Sequence, residues 1–198
     1  MKLVFATNNP NKLREIGAML GESFQLHGLK DVGINDHLPE DQDTLEGNAS
    51  QKAWYVYQKL KTGCFADDTG LEVDGLNGAP GVYSARYSRI GDPVFPKMEV
   101  SAGNIRKLLL QMEGMQNRKA RFRTVIALIM NGKEHLFEGI VQGDITLQPA
   151  GDRGFGYDPV FRPEGYDRTF AQMDLSFKNL ISHRAKAVEG LVEFLRNM

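Results

Sequence analysis

Apolar residues are dense over residues 2–7, where Val4 and Phe5 favour an extended strand running into the polar turn Asn8-Asn9-Pro10. From about 11 to 20 the apolar spacing becomes three and four. Leu13, Ile16 and Leu20 fall on one face, which predicts a helix stopped by Gly21. Residues 24–29 suit a second strand, and the acidic stretch 31–43 has no period. Thr44 is placed to cap a long helix reaching Leu60, with Leu45, Ala49, Ala53, Val56, Tyr57 and Leu60 as its buried stripe. Residues 64–67 read as a short strand that ends in a turn at Asp67-Asp68-Thr69-Gly70, and 77–81 as a Gly- and Pro-rich loop. A helix is predicted over 100–112, with Ile105, Leu108, Leu109 and Met112 inward. The clearest β signal is the hairpin pair Asn131-Gly132 between strands at 122–130 and 134–147. Residues 151–158 form a glycine-rich loop. A last helix follows Ser182 to about 196, with Ala185, Val188, Leu191, Val192 and Leu195 on its apolar face. The mixture predicts an α/β fold with a long, partly antiparallel central sheet and a cleft.

Composition narrows the classes. The 198 residues are 41% hydrophobic and 25% charged, ordinary for a soluble globular chain. A net charge of −1 gives no global attraction to nucleic acid or to an anionic membrane. Cys64 is the only cysteine, so no intramolecular disulfide forms, which fits a reducing compartment. The first apolar run is too short for a signal sequence, and no run approaches the ~18 residues of a membrane helix. A cytoplasmic location with no membrane and no nucleic-acid partner is expected. The sequon at Asn48-Ala49-Ser50 reads as chance.

Four segments could carry chemistry, each with an ordinary structural explanation beside it. Thr7-Asn8-Asn9-Pro10-Asn11-Lys12 joins a strand end to a helix N-terminus, where backbone N–H groups and the helix dipole attract anions; plain capping with a solvated Lys12 is the alternative, and the segment alone favours it. Asp67-Asp68 suits Mg2+, which needs only one or two carboxylates beside phosphate and water, with Glu40 available as a second carboxylate; solvated acids in a turn are the alternative. Gly154-Phe155-Gly156-Tyr157-Asp158 could bring an aromatic ring against a base, or fold Phe155 into the core. Lys178, His183 and Arg184 supply cations, the last two in the first turn of a helix where the dipole opposes them; ligand contact or simple solvation would account for this. Lys119, Arg121 and Arg123 alternate as on the solvated side of a strand, and His27, His37 and His135 lack metal-ligand spacing.

The order of these motifs is more specific than any one of them. Thr7-x-Asn9-x-x-Lys12, Thr44-Leu45-Glu46-Gly47-Asn48-Ala49 with Lys52-Ala53, and Phe65-Ala66-Asp67-Asp68-Thr69-Gly70-Leu71 are followed by Gly78-Ala79-Pro80-Gly81-Val82-Tyr83-Ser84-Ala85-Arg86-Tyr87. Gly154-Phe155-Gly156-Tyr157-Asp158-Pro159 and Ile181-Ser182-His183-Arg184 complete the set. From about Leu3 to Leu195 the chain resembles the inosine/xanthosine triphosphate pyrophosphatase family. Gly47 stands where Glu is frequent, Thr69 where Ser is commoner, and residues 89–103 depart from the family pattern.

The resemblance implies one elongated α/β domain, its mixed central sheet and helices forming two lobes around a nucleotide-binding cleft. It also implies a homodimer, a magnesium requirement, and hydrolysis of ITP, dITP and XTP to monophosphate and pyrophosphate. By matched position, Asp68 and Glu40 hold magnesium, and Asp68 with Asp67, Lys12 and Lys52 form the catalytic set. Residues Thr7 to Lys12, Thr69, Phe155, Gly156, Tyr157, Asp158, Lys178, His183 and Arg184 bind the nucleotide. Which aspartate is the general base stays open. A pyrophosphatase for modified pyrimidines, a nucleotide sensor without turnover, and an RNA-binding module using Arg121 and Arg123 are the competing readings.

Overall fold

The structure, a computed structural model, describes residues 2–20, 24–91 and 98–198. Its strands are β1 (Lys2–Phe5), β2 (Gln25–His27), β3 (Cys64–Val73), β4 (Pro80–Gly81), β5 (Lys119–Met130), β6 (Lys133–Ile145) and β7 (Phe161–Pro163). Its α-helices are α1 (Pro10–Leu20), α2 (Leu45–Leu60), α3 (Val100–Gln111), α4 (Leu175–Ile181) and α5 (His183–Arg196). The fold is mixed α/β. Among the described residues the hydrogen-bonded strand order is β2-β1-β3-β5-β6-β7, with β4 on β3. The chain forms two compact units: Met1–Asp68 with Thr124–Gly139 and Ser182–Met198, and Thr69–Arg123 with Ile140–Ile181.

In the first unit, β1 pairs in parallel with both β2 and β3. Parallel neighbours need crossovers, and α1 and α2 supply them. The first crossover leaves β1 on one side and the second returns past it, giving the local order 2-1-3. Leu3, Phe5, Ile16, Phe65, Ile126, Leu128, Val188 and Leu191 form the core of this unit, and the rings of Phe5 and Phe65 stack at 4.7 Å. Thr44 caps α2 through a hydrogen bond from the Gly47 N–H, and Ser182 caps α5 through one from the Ala185 N–H, both at the predicted residue. The β5–β6 turn places Asn131 at φ 50° and Gly132 at φ 73°, the left-handed pair that a two-residue hairpin requires.

The second unit packs Leu71, Val73, Leu108, Met112, Phe122, Val141, Tyr157, Phe161 and Phe170 into its own core. Here β3 meets β4 antiparallel, and β6 meets β7 with Gly143 opposite Pro163.

Two expectations change. Asp67-Asp68-Thr69-Gly70 is not a turn, because β3 continues through it to Val73. Gly70 permits this: a Cβ there would lie 2.8 Å from the Gly81 carbonyl, so the missing side chain admits β4. The buried stripe of α5 runs through Ala187 rather than Ala185, and on α2 it includes the polar Asn48 and Lys52. Helix α4 and strand β7 were not predicted. Gly21 lies outside the described residues, as does part of 89–103. No helix among the described residues is long and apolar enough to cross a membrane.

Candidate functional site

Strand order determines where the first unit gathers its charge. Beside a strand flanked by crossovers running in opposite directions, the loops at the carboxyl ends diverge and leave room for a ligand. Strand β1 stops at Phe5, opposite Phe65, so residues 66–68 of β3 extend past its end toward the loop that opens α1. Side chains alternate along a strand, so Asp67 and Asp68 leave β3 on opposite faces. Asp67 meets Lys12 of α1 and Arg184 of α5, whereas Asp68 meets Asn48 and Lys52 of α2.

The Asp67 carboxylate is 1% exposed; Oδ1 accepts from Lys12 Nζ at 2.9 Å and Oδ2 from Arg184 Nε at 3.3 Å. Arg184, also 1% exposed, donates through Nη1 to Glu15. Burial pushes the Asp67 carboxyl up, but Lys12, Arg184 and Lys52 together outweigh it and hold the pKa well below the usual carboxylate range. Lys12 is lowered, because burial exceeds the pull of Asp67. Arg184 is raised: burial works against it, and Asp67 and Glu15 prevail.

Asp68 has the opposite balance. It is 8% exposed, and its Oδ1 and Oδ2 accept from Lys52 Nζ at 3.3 Å and Asn48 Nδ2 at 3.2 Å. Burial raises its pKa, Lys52 and Lys12 oppose this, Glu40 and Asp67 add to it, and the net direction is up. Lys52 Nζ also donates to Glu40 Oε1 at 2.6 Å. Lys52 is raised, since Asp68 and Glu40 overcome its burial.

The loop before α1 is bonded internally. Asn9 Oδ1 accepts from the N–H groups of Asn11 (2.9 Å) and Lys12 (3.4 Å), and Thr7 Oγ1 accepts from the Asn9 N–H. Asn8 Nδ2 donates to the Asp36 carbonyl. Pro10 opens the helix, where its missing N–H costs nothing.

The second unit holds a separate arrangement. Lys178 on α4 is buried, with Nζ 2.6 Å from Asp158 Oδ2, 5.1 Å from the Phe155 ring centroid and 5.6 Å from that of Phe170. Asp158 Oδ2 also accepts from the Phe155 N–H at 2.9 Å. One carboxylate thus fixes both the lysine and the turn that presents Phe155. Gly154, at φ 73°, lies against that carboxylate, and any Cβ there would overlap it.

The sequence-derived set is therefore partly regrouped. Lys12, Asp67 and Arg184 are bonded in one group, and Glu40, Lys52 and Asp68 in a second on the other face of β3, close enough for Lys52 to act on Asp67 and Lys12 on Asp68 electrostatically; Phe155, Asp158 and Lys178 form a third. Arg184 is buried rather than solvated and bonds two carboxylates, those of Asp67 and Glu15. Tyr157 belongs to the core and donates to the Ser84 carbonyl. Gly156 adopts φ 61°, Thr69 is half-buried, and His183 is buried beside the cap of α5. Glu15 and Asn48 were missed. The signal for Asn48 was its spacing, since residues 45, 48, 52 and 56 share one face of α2. Its burial also removes the sequon from solvent. Of the alternating strand cations, Lys119 pairs with Asp144 and Arg121 with Glu72.

The profile of the Ham1 family matches residues 3–194. A dITP/XTP pyrophosphatase of Flavobacterium johnsoniae is 51% identical over 195 residues, covering 98% of each chain. Among solved structures, a Ham1 protein from Coxiella burnetii superposes with a TM-score of 0.88 at 33% identity over 100% of both chains. The Ham1 protein of Staphylococcus aureus gives 0.86 at 34% identity, covering 100% of this chain and 99% of that one. On a match of this extent to both sequence and fold, the chain belongs to the Ham1 family.

Proposed function

We propose that the protein is a nucleoside-triphosphate pyrophosphohydrolase that converts ITP, dITP and XTP to the monophosphate and pyrophosphate, clearing deaminated purines from the nucleotide pool. The name of the Flavobacterium relative, dITP/XTP pyrophosphatase, supports the substrate class. The observation that carries the chemistry is the pair of charged groups on either face of β3, beside the carboxyl end of β1, where Lys12, Lys52 and Arg184 are interleaved with Asp67, Asp68, Glu15 and Glu40.

The network fits a magnesium ion. Among the described residues no three His, Cys, Asp or Glu side chains form a full metal cage. Magnesium does not need one, since it keeps several waters and takes the rest from substrate phosphate. Glu40 and Asp68 offer hard carboxylate oxygens that already share one cation, the Lys52 ammonium. These two residues would hold magnesium, which would supply neutralising charge to phosphate oxygens.

The residues divide the remaining work. Lys12 and Lys52 stabilise negative charge on the pyrophosphate leaving group. Asp68, with its raised pKa and greater exposure, is the better general base for the water that attacks the α-phosphorus. Asp67, depressed by Lys12, Arg184 and Lys52, is a poor proton acceptor and orients Lys12 instead. Phe155 stacks on the base. Lys178 donates to the 6-keto oxygen, where the 6-amino group of adenine would present a second donor and no acceptor. A homodimer in the cytoplasm completes the reading. The test is pyrophosphate release from ITP with and without Mg2+. Release that depends on the metal supports the assignment, and no release in either condition overturns it.

A further inference from the structure

Lys52 does more in the free protein than await a phosphate. Its Nζ lies 2.6 Å from Glu40 Oε1 and 3.3 Å from Asp68 Oδ1, so one ammonium sits between the two carboxylates assigned to magnesium. Asn48 fixes the other oxygen of Asp68 at 3.2 Å, and the Lys52 side chain is only 5% exposed. A divalent ion binding these oxygens must come within about 2.0–2.1 Å of them. Two cations cannot share the same pair of oxygens at such distances without strong repulsion. On the functional reading above, we propose that Lys52 is a built-in counter-ion. Its ammonium occupies the divalent position in the nucleotide-free protein, and metal binding displaces it toward the phosphates. The carboxylate oxygens exchange N–H donors for the metal, the ammonium exchanges carboxylate for phosphate acceptors, and no covalent bond is made or broken.

Two consequences follow. Metal alone binds weakly, because it must separate a buried ion pair before gaining its ligands. Metal and nucleotide promote each other, because the phosphate gives the displaced ammonium a new partner; by linkage the coupling is reciprocal. Lys52 thus opposes metal in the free protein and assists the substrate complex. A lysine that serves only phosphate would not affect metal binding in the absence of nucleotide.

The experiment is calorimetric titration of the nucleotide-free protein with Mn2+ and with Mg2+, comparing wild type, Lys52→Met and Lys12→Met. Lys52→Met is expected to bind the divalent ion at least about tenfold more tightly than wild type, while weakening binding of ITP. Lys12→Met controls for general loss of positive charge, since Lys12 pairs with Asp67 rather than with the assigned ligands. It is expected to gain no more than about threefold. Equal or weaker metal binding by Lys52→Met overturns the inference, as does an equal gain in both variants. If Lys52→Met does not fold, Lys52→Gln carries the same expectation. Pyrophosphate release from ITP by the wild type judges the parent reading separately. Activity without a gain in Lys52→Met removes only the counter-ion. A gain without ITP activity supports the cation exchange and removes the assigned reaction.

Discussion

Arg184 and Asp67 are 117 positions apart in the chain, yet the guanidinium Nε and carboxylate Oδ2 meet at 3.3 Å with both residues 1% exposed. Because the same guanidinium holds Glu15 through Nη1, it joins α1, β3 and α5. Removing one partner of a buried pair leaves the other charged and unsatisfied, at a cost of about 3–5 kcal/mol. Arg184→Met is therefore expected to lower unfolding free energy by about that amount in urea titration. Arg184→Lys is expected to recover little, since one ammonium cannot reproduce two divergent N–H donors.

Asp67 also sets an acid limit. Its folded pKa is depressed below the usual value of about 4, so the stability it contributes is complete above that pH and is lost as pH falls toward the folded value. Below pH 4, wild-type stability is expected to fall more steeply than that of Asp67→Asn. Parallel curves would contradict the pairing.

The two aspartates separate by activity. Asp68→Asn is expected to reduce kcat by about 10²–10⁴-fold, the usual contribution of a general base, while remaining folded. Asp67→Asn is expected to affect stability more and chemistry less. Near-normal turnover in both would remove the assignment of this network to catalysis.

The readable parts of the molecule were those with local chemistry. Thr44 and Ser182 are caps because a hydroxyl there meets a free N–H, and Asn131-Gly132 turns because both positions need positive φ. The length of β3 was not local. Asp-Asp-Thr-Gly reads as a turn until β4 arrives to pair beyond Gly70, so tertiary context overrode a turn-like sequence. The motif order picked out Lys12, Asp68 and Arg184, but not how they connect. Glu15 looks like any solvated helix acid until a guanidinium from near the other end of the chain is placed against it.

In the second unit, Phe155→Ala is expected to raise KM for ITP by about an order of magnitude, consistent with about 1–3 kcal/mol for an aromatic stack. Gly154→Ala should act at least as strongly without touching the ring, because its Cβ collides with Asp158, which fixes both Phe155 and Lys178. Unchanged steady-state kinetics in both variants would exclude Phe155 from substrate binding.

Cys64 provides an independent check on the core of the first unit. It is buried, donates to the Ala53 carbonyl, and burial pushes its thiol up to about 12. A raised thiol pKa stabilises the fold fully below the unfolded value near 8.5, and that contribution fades as pH rises toward 12. Reaction with a disulfide reagent at pH 8 is expected to proceed only as fast as the protein opens. Rapid labelling of folded protein would contradict the burial.

Hydrolysis of 6-keto purine triphosphates at the α-phosphorus is decided by parallel kinetics on ITP and ATP. With Mg2+ present, ITP is expected to yield IMP and pyrophosphate with kcat/KM exceeding that for ATP by about 10⁴-fold, the discrimination available to a site with matched hydrogen-bond donors. Equal values for ATP, or release of single phosphate in place of pyrophosphate, would contradict it.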